Sequence, residues 1–145
     1  MIIGFSGHRK LNNQADIEKK LEKKLIELAP VKTISGLAIG YDSLTCKVCI
    51  KLNIPFIAAI PFQGQDLRWS DNDKKEYDEL LNKAESVVYV STPGYAKWKY
   101  QLRNEYIVDN CDEMIVYWDS NKVGGTFNCI RYAEQVERKY NNIFV

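Results

Sequence analysis

Residues 113–134 read EMIVYWDSNKVGGTFNCIRYAE. The apolar run at the start of this stretch predicts a buried strand, and Cys129, Ala133 and Val136 follow at helical spacing. A glycine pair lies between the two patterns, and glycine tolerates backbone conformations that other residues avoid. The stretch therefore predicts one strand–turn–helix unit of an α/β fold.

The same alternation of strand and helix signals runs along the whole chain. Helical spacing recurs, for example, at Ile17, Leu21 and Leu25, and a long helix is predicted from about Tyr95 to Cys111. Six segments are predicted strands: MIIGFSG (1–7), VKTISGLA (31–38), PFIAAIPF (55–62), SVVYVST (86–92), EMIVYWD (113–119) and NIFV (142–145). This order predicts a Rossmann-like, doubly wound parallel sheet with helices on both faces. We expect one domain over residues 1–145.

The composition limits the class of protein. Lysine and arginine number 20 against 19 aspartates and glutamates, which leaves a formal net charge of +1. This balance argues against broad nucleic-acid or membrane binding driven by charge. The longest apolar run, IPFIAAIPF, is too short to span a bilayer, and the first residues lack the charged region and cleavage site of a signal peptide. We therefore expect a cytoplasmic protein.

Cysteine and histidine are too few to suggest a metal site. Cys46 and Cys49 have the spacing of metal ligands, but no second pair completes the set, and His8 is the one histidine. We expect no bound metal, and we expect the four cysteines to be buried, reduced thiols.

Candidate ligand-binding residues concentrate in the loops that follow the predicted strands. In parallel α/β sheets, ligands bind outside the carboxyl ends of the strands, near the point where strand order reverses. The loops expected along that edge span residues 7–9, 36–42, 61–69, 91–95 and 119–126. We therefore expect a ligand at this edge.

A phosphate site is predicted at the glycine pair. Backbone amides of Gly124, Gly125 and Thr126 would open a helix, and helix N-termini bind anions. Arg103, on the preceding helix, would pair with the phosphate in two-pronged fashion. The alternatives are a tight turn without a ligand and a surface arginine bonded to Glu105 or Asp109.

Several further side chains are candidates for the rest of the ligand. Asp42 either caps its helix or accepts a hydrogen bond from a ribose hydroxyl. Trp69 either stacks on a base or anchors its loop. The aromatic residues Tyr95, Trp98 and Tyr100 are assigned to packing or to an oligomer face. The remaining candidate ligand-binding residues are Gly7, His8, Arg9, Gly36, Gly40, Tyr41, Pro61, Phe62, Gln65, Asn104, Asp119 and Asn128.

These segments together resemble a known superfamily. The stretches SGHR, SGLAIGYDSL, IPFQGQDLRW, RNEYIVDNCDEMIVYWD and GGTFNCIRYA are similar, in this order, to the SLOG superfamily of Rossmann-like nucleotide-binding domains. Within it they resemble the small bacterial and phage proteins of the YpsA-like type. The resemblance spans nearly the whole chain. It implies a nucleotide-type ligand and no further cofactor.

One branch of the superfamily, the LOG phosphoribohydrolases, cleaves the bond between a base and ribose 5′-phosphate. Arg103 matches the arginine of the LOG signature, and Gly124, Gly125 and Thr126 resemble its glycine-rich turn in shortened form. The signature's glutamate position is Cys129 here, and its lysine position is Asn104. The resemblance therefore implies phosphate binding more strongly than catalysis, which usually needs a carboxylate.

Three functional hypotheses follow from the resemblance. The first is capture of a nucleotide or an ADP-ribose-derived, possibly cyclic, signalling molecule, as a phage-type protein would sequester an immune signal. The second is hydrolysis of a nucleotide's N-glycosidic bond, with catalytic residues unassigned. The third is a regulatory module that binds another protein. In each case the resemblance, together with the aromatic residues near Trp98, leads us to expect a homo-oligomer.

Overall fold

The computed structural model describes residues 1–144. Strands and helices alternate along the chain, as the sequence predicts. In chain order they are β1 Ile2–Gly7, α1 Gln14–Leu28, β2 Lys32–Ser35, α2 Tyr41–Lys51, β3 Phe56–Ile60, α3 Asp71–Lys83, β4 Ser86–Tyr89, α4 Trp98–Asp109, β5 Glu113–Tyr117, α5 Gly125–Gln135 and β6 Tyr140–Asn142.

The six strands form one parallel sheet in the order β4-β3-β2-β1-β5-β6. The chain first runs outward from β1 to β4 and then returns to the other side of β1 for β5 and β6. The order therefore reverses beside β1, and the loops after β1 and β5 are neighbours at the carboxyl edge. The predicted Rossmann-like α/β class, with one domain, is confirmed.

Strand β1 lies at the centre of the sheet, and its two faces pack against different helical layers. Ile3 and Phe5 are buried in the apolar core that also contains the inward faces of α1, α2 and α3. Gly4 faces the opposite layer, where a Cβ atom would lie 2.7 Å from Cγ2 of Ile107 and 3.0 Å from Sγ of Cys111. The missing side chain lets α4 pack directly on the strand.

The second core lies between the sheet and helices α4 and α5. It contains Ile107, Val108, Met114, Cys129 and further buried apolar residues. Helices therefore cover both faces of the sheet, as predicted. The loops at the carboxyl edge therefore extend from a sheet that is packed on both faces.

The structure corrects the bounds of one helix and one strand, and it shows that a further strand is exposed to solvent. Helix α4 begins at Trp98 rather than near Tyr95, because the segment after Pro93 and Gly94 remains a loop. The last strand is Tyr140–Asn142 rather than NIFV; Ile143 and Phe144 instead pack against the first core, and Val145 lies outside the described residues. Strand β4 is at the sheet edge and is largely exposed.

Within the described residues, no helix combines the length and the apolar character that a membrane crossing requires.

The close approach of α4 to β1 generates a test of the fold. We expect Gly4→Ala to lower the free energy of unfolding by about 1–3 kcal/mol, because the added methyl group overpacks the contact with Ile107. Urea denaturation followed by circular dichroism measures this change. Gly125→Ala is the matched control, since its Cβ would meet no atom within 4 Å. Equal stability of the two variants would contradict the packing argument.

Candidate functional site

A cleft of about 810 Å³ opens at the carboxyl edge of the sheet, between the loops after β1, β2 and β5 and helix α4. Its size is within the range typical of small-molecule sites. Ten of the residues that the sequence predicts as ligand-binding line it: Gly7, His8, Arg9, Asp42, Arg103, Asn104, Gly124, Gly125, Thr126 and Asn128. The structure therefore brings the loop after β1 together with the opening of α5.

The opening of α5 has the backbone geometry of an anion site. Gly124 has a φ of 95°, in the left-handed region that favours glycine, and no side chain caps the helix. The space beside Gly124 and Gly125 is empty of protein atoms within 4 Å of a would-be Cβ. The first-turn amides, which have no intrahelical acceptor, are thus approachable from the cleft. An amide nitrogen of Asn104 donates to the Gly125 carbonyl at 3.4 Å and links this turn to α4.

Arg103 reaches the same cleft from α4. Its side chain is buried, with 6% of the residue exposed. Its Nε donates to Oδ1 of Asn104 at 3.0 Å, and Nη1 donates to the carbonyls of Gly36 at 2.9 Å and Ala59 at 3.4 Å. Nη2 makes no hydrogen bond with any of residues 1–144, and no carboxylate among them lies within ion-pair distance of the guanidinium. The alternative of a surface arginine bonded to Glu105 or Asp109 is therefore wrong.

Asp42 is the acidic residue of the cleft. Its Oδ2 accepts a hydrogen bond from the Ala38 amide at 3.3 Å. Burial raises the pKa of Asp42 above its usual range, and the positive charges of Arg103 and Arg9 together with the Ala38 amide offset only part of that rise. A buried carboxyl of this kind holds its proton at a higher pH than an exposed aspartate.

Gly36 provides the space in which these two side chains meet. A Cβ atom there would lie 2.2 Å from Nη1 of Arg103 and 2.9 Å from Oδ2 of Asp42. Gly36 lies beneath the cleft rather than on its wall, and its carbonyl also accepts a hydrogen bond from Gln65 at 3.1 Å. Its role in the structure is to hold the guanidinium in place.

Other predicted residues lie behind the cleft or beside it. Tyr41 is fully buried; its hydroxyl donates to the Ile115 carbonyl at 3.0 Å. Trp69 packs edge-to-face on Tyr77, which supports the alternative that it anchors its loop. Gly40, with a φ of 91°, lies against the backbone of Arg9, where a Cβ would be 2.2 Å from the carbonyl oxygen. Pro61, Phe62 and Gln65 are buried outside the cleft wall.

His8 and Asp119 meet across the loops after β1 and β5. Nε2 of His8 lies 2.9 Å from the Asp119 backbone nitrogen and 3.1 Å from its Oδ1. In the neutral ring Nε2 accepts from the backbone N–H, whereas the protonated ring donates to the carboxylate. The pKa of Asp119 is lowered mainly by the hydrogen bond from the Asn121 backbone amide, and His8 lowers it further. Asp119 lines a second, smaller cleft on the far side of this pair.

The sequence analysis did not name as ligand-binding eight of the residues that line the main cleft. Four of them lie before or within the first turn of α4: Tyr95, Lys97, Tyr100 and Gln101; the other four are Phe5, Ser6, Ala38 and Val123. Tyr95 is 74% exposed, and its ring lies edge-to-face on Phe62 and Tyr100. Their position was inferable in part, because residues 91–95 follow a strand at the carboxyl edge. The aromatic character of Tyr95 and Tyr100 instead suggested packing or an oligomer face, and no pattern in the sequence singled out Lys97 or Gln101.

A buried lysine holds this loop in position. Nζ of Lys99 donates to the carbonyls of Thr92 and Gly94, each at 2.8 Å. It also lies 5.8 Å from the ring centroid of Phe62. These contacts tie the loop that carries Tyr95 and Lys97 to the first turn of α4. The loop therefore forms a defined wall of the cleft.

The cysteines are free and buried. Cys129, at the position of the LOG glutamate, is fully buried behind the cleft, and burial raises the pKa of its thiol to about 12. Burial likewise raises the pKa of Cys49 and of Cys111 to about 11. Over residues 1–144, no three side chains of histidine, cysteine, aspartate or glutamate lie close enough together to hold a metal ion.

The fold and the cleft define a Rossmann-like α/β protein with an arginine and an uncapped helix N-terminus at the switch in strand order. The YpsA family, described as the YspA SLOG family, matches residues 8–145. The chain belongs to this family, and the resemblance to the SLOG superfamily is thereby confirmed.

Two relatives illustrate the family. The chain is 30% identical over 132 residues to the uncharacterized SPbeta prophage-derived protein YoqJ of Bacillus subtilis, a match that covers 79% of this chain and 76% of that protein. It is 26% identical over 133 residues to the UPF0398 protein BH1768 of Halalkalibacterium halodurans, a match that covers 85% of this chain and 70% of that protein.

Two solved structures share the fold. DNA processing protein A of Streptococcus pneumoniae superposes with a TM-score of 0.76 at 23% identity, over 95% of this chain and 48% of that one. DNA processing protein A of Helicobacter pylori superposes with a TM-score of 0.73 at 18% identity, over 97% of this chain and 63% of that one. The structure of that protein concerns its single-stranded DNA binding mode. This chain thus spans about half to two-thirds of these neighbours' length, and at such identity the likeness shows the fold alone.

The prediction that balanced charge argues against broad nucleic-acid binding is wrong. A protein with this fold, that of Helicobacter pylori, has a single-stranded DNA binding mode. The physical reason is that binding depends on the charges within a groove rather than on the net charge of the chain. In this chain Arg9, Lys97 and Arg103 line the cleft against the single carboxylate of Asp42.

The buried thiols generate a test of the site. We expect native protein at pH 8 to leave all four cysteines unmodified by iodoacetamide, because each is inaccessible and the pKa of each thiol is raised by burial. Peptide mass spectrometry measures the labelling, and unfolding in urea should expose all of them. Labelling of Cys129 in the native protein would contradict its assigned place behind the cleft.

Proposed function

We propose that the main cleft binds a nucleotide, either free or as part of a single strand, through its phosphate group. The observation that carries the proposal is the convergence of the buried Arg103 guanidinium and the uncapped amides of α5 on one open cleft. Carbonyl and amide oxygens hold the Arg103 guanidinium in place without neutralising its charge, so an anion in the cleft would be stabilised by it. A phosphate offers several acceptor oxygens to Nη2 and to the first-turn amides.

The remaining walls suit the rest of a nucleotide. Asp42 lies on the β2 side of the cleft, where its carboxyl oxygens can accept hydrogen bonds from ribose hydroxyls. Tyr95 and Tyr100 lie on the α4 side, where an aromatic ring offers a base a stacking partner. In this arrangement the base lies against the loop held by Lys99.

We propose capture rather than cleavage as the activity. Glycoside hydrolysis commonly uses two carboxyl groups on either side of the scissile bond. Asp42 is the one carboxylate that lines the cleft among the described residues, and the thiol of Cys129 is inaccessible. A bound nucleotide should therefore be released intact.

The proposed ligand class is a signalling nucleotide, including molecules derived from NAD or ADP-ribose. Two findings support this class: membership of a SLOG family and the prophage origin of the relative YoqJ. A prophage-encoded relative fits a protein that sequesters a host immune signal. The Helicobacter pylori neighbour supports single-stranded nucleic acid as the alternative source of the same nucleotide chemistry.

A second candidate function is N-glycosidic hydrolysis with Asp42 as the acid. The observation that favours it is the burial of Asp42 at the cleft, because burial raises the pKa of this carboxyl and so increases the protonated fraction that can protonate a leaving base. Capture and hydrolysis differ in their products. Hydrolysis releases free base, whereas capture leaves the nucleotide intact. If the protein is a hydrolase, Asp42→Asn should stop the release of base while the protein still retains the nucleotide.

Mass spectrometry of the material released from denatured, purified protein tests the proposal directly. We expect an intact nucleotide to co-purify with the wild-type chain and to be absent from Arg103→Met, which removes the guanidinium. Lys75→Met, an exposed change on α3, is the control. Equal retention by Arg103→Met would remove Arg103 from the site, and recovery of free base would favour hydrolysis.

Gly125→Ala separates binding from stability. We expect the variant to be as stable as the wild type or more stable by up to about 1 kcal/mol, because alanine favours a helix and the site has room for its methyl group. The same methyl group should obstruct the approach of a phosphate and weaken nucleotide binding about tenfold or more. Isothermal titration and urea denaturation measure the two effects. Asn82→Ala, on the exposed surface of α3, should leave binding unchanged.

A further inference from the structure

A second cleft, of about 420 Å³, lies on the other side of the loop after β1. His8 and Arg9 line both clefts and form the ridge between them. The residues of the second cleft that carry the argument are His8, Arg9, Lys10, Tyr117, Asp119 and Phe144. The two clefts are therefore neighbours that share one wall.

The second cleft has unpaired positive charge. Arg9 and Lys10 are exposed, and neither forms an ion pair within residues 1–144. The carboxylate of Asp119 is already occupied: its two oxygens accept from the backbone and side-chain nitrogens of Asn121, each at 3.0 Å, and Oδ1 also faces His8. Two free cations beside an occupied carboxylate favour an anionic ligand.

Two aromatic rings also line this cleft. The rings of Tyr117 and Phe144 lie with their centroids 4.9 Å apart and their planes tilted by 49°. Tyr117 is buried and also packs against Tyr41, so its ring is fixed, whereas Phe144 is partly exposed. Aromatic faces next to Lys or Arg are the combination that binds bases and their phosphates without strong sequence preference.

We propose that the second cleft is a subsite for a second nucleotide, so that the full ligand is two nucleotide units joined by a phosphodiester. The inference rests on the proposed function: the first unit occupies the main cleft, and the linkage crosses the ridge of His8 and Arg9. Arg9 and Lys10 bind the phosphate of the second unit, and its base lies against Phe144. A dinucleotide signal and a single strand both contain this unit.

Titrations with matched mono- and dinucleotides test the subsite. The probes are the four nucleoside 5′-monophosphates and the corresponding 5′-phosphorylated dinucleotides. We expect a dinucleotide to bind the wild type about tenfold tighter than its mononucleotide, the smaller end of the effect of one stacked base. Lys10→Glu and Phe144→Ala should each remove that gain while leaving mononucleotide affinity within about twofold. Lys75→Glu makes the same charge change on α3 and should leave both affinities unchanged.

The outcomes separate this inference from the proposed function. Binding of a mononucleotide with no gain for any dinucleotide overturns the subsite alone, as does a gain that survives in both Lys10→Glu and Phe144→Ala. Absence of binding for every mono- and dinucleotide overturns both proposals. Phe144 packs against the core, so Phe144→Ala could unfold the protein. Lys10 is exposed, so Lys10→Glu tests the subsite without disturbing the core.

Two further probes, a longer single strand and a cyclic dinucleotide, distinguish the two sources of a dinucleotide unit. An eight-nucleotide single strand that binds more than about tenfold tighter than the dinucleotide supports the subsite as part of a strand-binding groove. A cyclic dinucleotide that binds as tightly as the strand or tighter supports a signalling ligand. A strand and a cyclic dinucleotide that both bind no tighter than a mononucleotide overturn the subsite.

Discussion

The hydrogen bonds of the Arg103 guanidinium join α4 to the carboxyl ends of β2 and β3. Nη1 donates to the carbonyls of Gly36 and Ala59, and Nε donates to Asn104, whose amide continues to the first residue of α5. The charge is thus held by dipoles rather than by a carboxylate. This places a permanent cation at the sheet edge without neutralising it, and the relative positions of α4, α5 and the loop after β2 depend on it.

This arrangement explains why the surrounding residues are small or polar. Gly36 leaves room for the guanidinium and for the Asp42 carboxyl, and a side chain at that position would displace both. The charges of Asp42 and Arg103 interact, but no oxygen of Asp42 lies within ion-pair distance of the guanidinium, so the two do not form a closed salt bridge. Among the described residues, Arg9, Lys97 and Arg103 thus outnumber the one acidic residue that lines the cleft.

A second buried cation orders the opposite wall. Lys99 is satisfied by carbonyls of residues 92–94 rather than by an acid, and it thereby holds the loop that presents Tyr95. Both cations follow the same rule: a buried charge persists when several oriented dipoles replace its lost water. Arg103 and Lys99 are on one helix, so α4 links the side of the cleft that carries the guanidinium to its aromatic side.

The amino-acid sequence determined the alternation of strands and helices, the Rossmann-like class, the edge of the sheet at which the cleft opens and the glycine turn that opens α5. These follow from local spacing and from the backbone freedom of glycine. Only the tertiary structure decided which side chains face the cleft. Tyr41, Gln65 and Trp69 proved to be supports, while Tyr95 and Lys97 proved to line it. Which side chains face the cleft depends on hydrogen bonds between residues far apart in the chain, such as that between Arg103 and Gly36. The local spacing of apolar residues cannot predict such contacts.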